Sequence, residues 1–336
     1  MKYTFLVGSY AAQTETGIYR IGFDPAAGLT VEAAGAGYAN PSFVLPHPNG
    51  RVFYAVEETE AGAVVAGCLD GPLDRRSEGC LTQGSSPCHL SLSGDQRWLY
   101  AANYMSGSLA AFALDETGRI LDRTDLRTHA GSGPNPERQE GPHAHFSMDI
   151  DGSLYVCDLG TDAVVIYRNA GGQLGETGRI AMPAGSGPRH LAWSPKHPDW
   201  LYCVAELGSR VYALRRREDG YEIVQSVSTL PAGFEGGNTA AAIRITEDGE
   251  RLLASNRGHD SIAVCAVRPD GTLGEPVISG CVAEPRDFAL CGDYVLAASQ
   301  RDSVIRAYRL DRRSLRLEDA GMGLEIGHPV CLSALK

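Results

Sequence analysis

Residues 188–214, PRHLAWSPKHPDWLYCVAELGSRVYAL, hold the unit that the rest of the chain repeats. A proline opens a short apolar run, and a Pro/Lys/Asp turn leads to a second run, WLYCVA. The polar loop ELGS then separates this from a third run, RVYAL. Strand-length apolar runs punctuated by turn residues describe an antiparallel meander, not a helix.

The pattern recurs along all 336 residues. Copies of the second and third runs begin at Tyr3, Arg51, Arg97, Ser153, Trp200, Arg251 and Tyr294. Copies of the first begin at Pro41, Pro87, Pro142, Pro188, Ala241, Pro285 and Pro329. Matching Phe5, Tyr54, Tyr100, Tyr155, Tyr202, Leu253 and Leu296 spaces the copies 43 to 55 residues apart. A period of that length, built from short alternating runs and Gly/Asp turns, belongs to propeller blades. No segment keeps a helical apolar period. Each copy supplies an inner strand A (PRHLAW type), then B and C, then a more polar outer strand D such as YEIVQSVST. The expectation is an all-β, seven-bladed β-propeller with four antiparallel strands per blade, one domain over residues 1–336. The chain starts on a B strand and ends on an A strand, so N-terminal strands and the C-terminal strand must together close the last blade. Closure removes two sheet edges that would template aggregation. An open β-solenoid is the competing architecture.

Composition narrows the function. Hydrophobic residues at 43% and charged residues at 21% exclude a disordered, collagen-like or coiled-coil chain. No apolar run approaches the ~20 residues of a membrane helix. A net charge of -11 leaves no footprint for nucleic acid or an anionic membrane. An anionic ligand would therefore need a local arginine cluster working against the global field. Nine cysteines, an odd number, mostly sit in apolar runs without a CxxC pair, which reads as buried free thiols. The N-terminus is a copy of the repeat and not a leader, so a cytoplasmic location is expected.

In a propeller the B–C and D–A loops emerge at one end and the A–B turns at the other. The first set carries the chemistry: ERQEGPHAH (137–145), GSGPRH (185–190), AELGSR (205–210), SNRGHD (255–260) and AEPRD (283–287). His143, Arg189, Glu206 and Arg257 fall in three consecutive blades on that face. Arginine offers a planar fork to carboxylate or phosphate. Glu206 or His143 could deprotonate a water, and a guanidinium beside a carbonyl offsets the developing oxyanion. Each residue also has a plainer reading. His145 and His190 could be satisfied strand-end groups, and the Arg of PRH or PRD an inter-blade ion pair with Glu206 as partner. Arg257 could sit in a turn where only Gly258 matters. His143-x-His145 lacks an evident third metal ligand. No GxSxG, P-loop or strand-borne GxGxxG occurs.

The succession GPHAH, GPRHLAW, AEL, SNRGHDSIAV and PRDFAL resembles the lactonase family of seven-bladed propellers, the propeller-type 6-phosphogluconolactonases related to fungal carboxymuconate cycloisomerases. The resemblance spans nearly the whole chain. It implies no obligatory metal or organic cofactor. It also implies a site of His143, Arg189, Glu206 and Arg257, with His145, His190 and Arg286 contributing to substrate binding. The expected substrate is a small anionic lactone or sugar phosphate, foremost 6-phosphogluconolactone in the pentose phosphate pathway. A muconate-type cycloisomerase on the same site, or a non-catalytic binding scaffold, are the alternatives.

Overall fold

The computed structural model describes residues 2–335, all of whose regular elements are strands. They form seven four-stranded antiparallel sheets. The A strands of blades 1 to 6 are Val44–Pro46, Pro87–Leu92, Ala144–Ile150, Pro188–Trp193, Thr239–Ile245 and Pro285–Cys291; in blade 7 the A strand is Pro329–Leu335. The corresponding B strands are Val52–Glu57, Trp98–Asn103, Ser153–Asp158, Trp200–Ala205, Arg251–Arg257, Tyr294–Ser299 and Tyr3–Ser9. The expected closure is present: Tyr3–Ser9 pairs antiparallel with Pro329–Leu335, Leu6 opposite Ser333 and Gly8 opposite Cys331. That register makes Leu6, not Phe5, the equivalent of Tyr54, because Tyr54 faces Leu45 at the same level of blade 1.

The core is not one mass but seven wedges, each shared by two neighbouring blades. The wedge between blades 1 and 2 joins Tyr54, Val56 and Val64 to Leu90, Leu99 and Phe112. Blades 7 and 1 are joined by Leu6, Ile18 and Cys331 against Val44, Phe53 and Val65. Truncating a ring such as Phe112 to Ala would cost about 3–5 kcal/mol. The repeated tyrosine serves the same joint, since a buried phenol needs a partner for its hydroxyl. Tyr202 donates to the Gly271 carbonyl of the next blade at 2.8 Å, and Tyr100 accepts from Asn169 at 2.9 Å.

One irregularity recurs where the A strands begin. The A–B register slips between Pro87 and His89, Ala144 and Phe146, Pro188 and His190, and Pro285 and Asp287. Each slip is a β-bulge, which bends the strand and re-aims the extra residue. The bulged residues are therefore Cys88, His145, Arg189 and Arg286, with Ser42, Ala241 and Val330 equivalent in blades 1, 5 and 7. Blade 1 departs from the pattern at its outer edge, where the D strand shrinks to Cys80–Leu81.

Candidate active site

Two stacked rings of side chains meet at the loop end of the channel. The lower ring is the set of bulged A-strand residues. The upper ring follows the B strands: Tyr10, Glu58, Tyr104, Leu159, Glu206, Arg257 and Gln300. Between them lies a cavity of about 200 Å³ lined by Glu58, Cys88, Tyr104, Arg138, His145, Arg189, Glu206, Arg257 and Arg286. All but Arg138 belong to the two rings. Arg138 enters from the long D–A loop before blade 3.

Glu206 is the hub of one wall. Its Oε1 accepts from Arg138 Nη2 at 2.6 Å. Its Oε2 lies 2.7 Å from Arg189 Nε and 3.0 Å from Arg257 Nη2. The Arg189 contact is out of line for a hydrogen bond, so it acts as a charge pair, and that Nε keeps no directed partner. Burial opposes the carboxylate, but the guanidiniums of Arg257 and Arg189 outweigh it and drive the Glu206 pKa far down. Burial and the like charge of Arg257 pull Arg189 the other way, to about 9, which leaves it cationic at neutral pH. Glycine is required beside Arg257: Gly258 has φ +111, and a Cβ there would collide with the Gly237 carbonyl oxygen.

The opposite wall has a different chemistry. Glu58 accepts from the Tyr10 hydroxyl at 3.1 Å through both oxygens and from the Ser42 hydroxyl. Arg286 donates to the Tyr10 oxygen at 2.9 Å, with its guanidinium over the Tyr10 ring at 5.3 Å. Among the described residues no cation stands within 4.0 Å of the Glu58 carboxylate, and no carboxylate within 4.0 Å of Arg286. Burial pushes the Tyr10 phenol up to about 12, so it stays a donor at neutral pH.

Five of the seven residues singled out from the sequence, His145, Arg189, Glu206, Arg257 and Arg286, face this one cavity. His190 lies a layer deeper, against a void of about 20 Å³ that it shares with Ser42, Arg286 and Asp287. The expectation for His143 needs correction. Its imidazole is stacked on Tyr104 at 4.5 Å, its Nδ1 is 3.0 Å from the Tyr104 carbonyl oxygen, and its Nε2 is 3.2 Å from Glu140. It braces the cavity wall from behind. The bulge at His145 turns that neighbour inward instead. Burial, then Arg189, holds the His145 imidazole well below its ordinary pKa, so it is neutral, with Nδ1 unpartnered.

Glu58, Cys88, Tyr104 and Arg138 were not singled out. The repeat itself marks the first three, because they occupy the ring positions of Arg257, Arg189 and Glu206 in other blades. The expected inter-blade pairing of the PRH arginine needs correction: Arg189 pairs with Glu206 inside blade 4, and the pair that crosses between blades is Arg257 with Glu206. Among the described residues no group of three or more His, Cys, Asp and Glu is placed to hold a metal ion. All nine cysteines are free.

A lactonase, 7-bladed beta-propeller family model matches residues 4–334. A 6-phosphogluconolactonase from Bacillus subtilis is 31% identical over 353 residues, covering 99% of this chain and 99% of that protein. The structure of a periplasmic gluconolactonase from Pseudomonas aeruginosa matches with a TM-score of 0.91 at 29% identity, covering 100% of this chain and 99% of the other. A crystal structure from Bacteroides fragilis, whose name marks its 6-phosphogluconolactonase assignment as provisional, matches with a TM-score of 0.91 at 29% identity over 100% and 98% of the two chains. By sequence along its length and by fold, this chain belongs to the seven-bladed β-propeller lactonases, a family of lactone hydrolases.

Proposed function

We propose that the substrate is a phosphorylated sugar lactone, 6-phosphogluconolactone, hydrolysed to 6-phosphogluconate as in the oxidative pentose phosphate pathway. One observation carries this reading. The cavity sets four guanidiniums against two carboxylates, an excess of two positive charges in a protein whose net charge is -11. A phosphate monoester carries about -1.5 to -2 at neutral pH, so the ligand supplies the charge that the cavity lacks. Low dielectric inside the channel strengthens that match.

The surplus is local. Arg138, Arg189 and Arg257 around Glu206 leave two positive charges on that wall, whereas Arg286 and Glu58 cancel on the other. The phosphate belongs on the Glu206 wall, with the open-side Arg138 and Arg257 as its main partners. Glu206 then organises cations; a carboxylate held so strongly in its ionised form is a poor proton acceptor, against the expectation that it activates water. Nine free thiols fit a reducing compartment such as the cytoplasm.

The test is loss of 6-phosphogluconolactone above the spontaneous rate on adding purified protein. Arg257→Ala should raise KM for this lactone more than for its unphosphorylated counterpart. Wild-type turnover no faster than buffer would reject the substrate.

A further inference from the structure

The ring position that gives Glu206 in blade 4 gives Glu58 in blade 1, across the channel. We infer that Glu58 is the general base that activates water for lactone opening, with Arg286 as the cation that receives the oxyanion. This rests on the lactonase reading of the cavity. Three acceptors face the cavity, and two are disqualified by their neighbours. Glu206 is saturated by three guanidiniums. His145 shares the lower ring with Arg189 and Arg286, where gaining a proton would place an imidazolium among buried cations. Glu58 is held only by hydroxyls, from Tyr10 and Ser42. These orient the carboxylate without cancelling its charge.

The other groups facing Glu58 do not compete for its proton. Cys88 beneath it is a buried thiol whose pKa is raised by burial, so it is neutral. Arg189 is committed to Glu206. Arg286 reaches Glu58 only through the Tyr10 hydroxyl, which accepts from the guanidinium and donates to the carboxylate. One wall therefore offers a base and a cation side by side with no net charge, suited to a neutral lactone carbonyl.

The step balances on these groups. A Glu58 oxygen takes one proton from water as the water oxygen bonds to the lactone carbonyl carbon. The carbonyl π pair moves onto its oxygen, opposite Arg286. Collapse of the adduct breaks the bond between the acyl carbon and the ring oxygen, and Glu58 returns its proton to that oxygen as the new hydroxyl. The carboxylic acid formed releases its proton to solvent.

The experiment compares wild type, Glu58→Gln and Glu58→Ala on 6-phosphogluconolactone and on unphosphorylated gluconolactone, from acidic to neutral pH, with and without formate. Folding of each variant is checked by circular dichroism. The expected result is a kcat lower by roughly 10²–10⁴-fold in Glu58→Gln. KM should change little, the acidic limb of the wild-type profile should vanish, and formate should partly restore Glu58→Ala. Retained kcat, or a folded variant that keeps the acidic limb and gains nothing from formate, would overturn the assignment. Activity on gluconolactone alone would remove the phosphorylated substrate while the same comparison still judged Glu58. Inactivity on both lactones would overturn both readings.

Discussion

The two carboxylates of the cavity occupy the same position of the repeat and have opposite surroundings. Glu206 is met by guanidiniums from the same blade, from the next, and from the long loop before blade 3. Glu58 is met by a phenol and a serine hydroxyl. A seven-fold scaffold fixes where a side chain stands, and its neighbours one blade away decide its chemistry. The first carboxylate anchors cations, and the second is held by hydroxyls alone.

The largest effect expected from breaking this contrast is on the Glu206 side. Glu206→Gln leaves three guanidiniums crowded without a counter-charge, and removing one partner of a buried ion pair costs about 3–5 kcal/mol. Urea unfolding at neutral pH measures it, and inorganic phosphate should restore part of the loss by binding the folded state. The sign with pH follows from the depressed carboxylate. Its contribution is fully present above the unfolded value of about 4.3 and is lost as pH falls toward the lower folded value. The gap between wild type and variant should therefore close in acid; a constant gap would contradict the ion-pair account.

Next in size is Arg286→Ala, which removes the cation beside Glu58. Loss of an oxyanion partner predicts a fall in kcat of roughly 10²–10³ on phosphorylated and unphosphorylated lactones alike. A change confined to KM would move Arg286 to the phosphate side. Arg257→Ala should do what Arg286→Ala does not, raising KM for the phosphorylated lactone by roughly 10–100-fold, as expected for a lost hydrogen bond to a charged group. Equal effects of the two arginines on both substrates would erase the distinction between the walls. Tyr10→Phe deletes a single hydroxyl and should lower kcat by about 3–10-fold, the scale of one neutral hydrogen bond. Unchanged kinetics would mean that the hydroxyl does not orient Glu58.

The architecture was legible because each blade must bury the same face against the next, so the repeat is written in the apolar alternation. The closing pair was legible for the same reason, although the short opening copy, YTFLVGSY, allowed a one-residue slip that hid the equivalence of Tyr10 with Glu206. Arg189, Glu206 and Arg257 stood out as charged residues on otherwise apolar strand ends. Glu58 did not, since it lies within EETE, where any of three acids could have been solvated. The exchange of His143 for His145 turns on a bulge, and the register slip depends on pairing with Ser153–Asp158, not on local composition. Arg138 reaches Glu206 from a loop outside the repeat, so no periodic signal marks it.

The most direct test is a crystal structure with 6-phosphogluconate bound. Phosphate oxygens should sit on Arg138 and Arg257 beside Glu206, and the product carboxylate on the far wall against Arg286 and Glu58. Product seated with its ends reversed, or in the hollow of about 420 Å³ at the other mouth between Leu45, Met148 and Trp193, would contradict that placement.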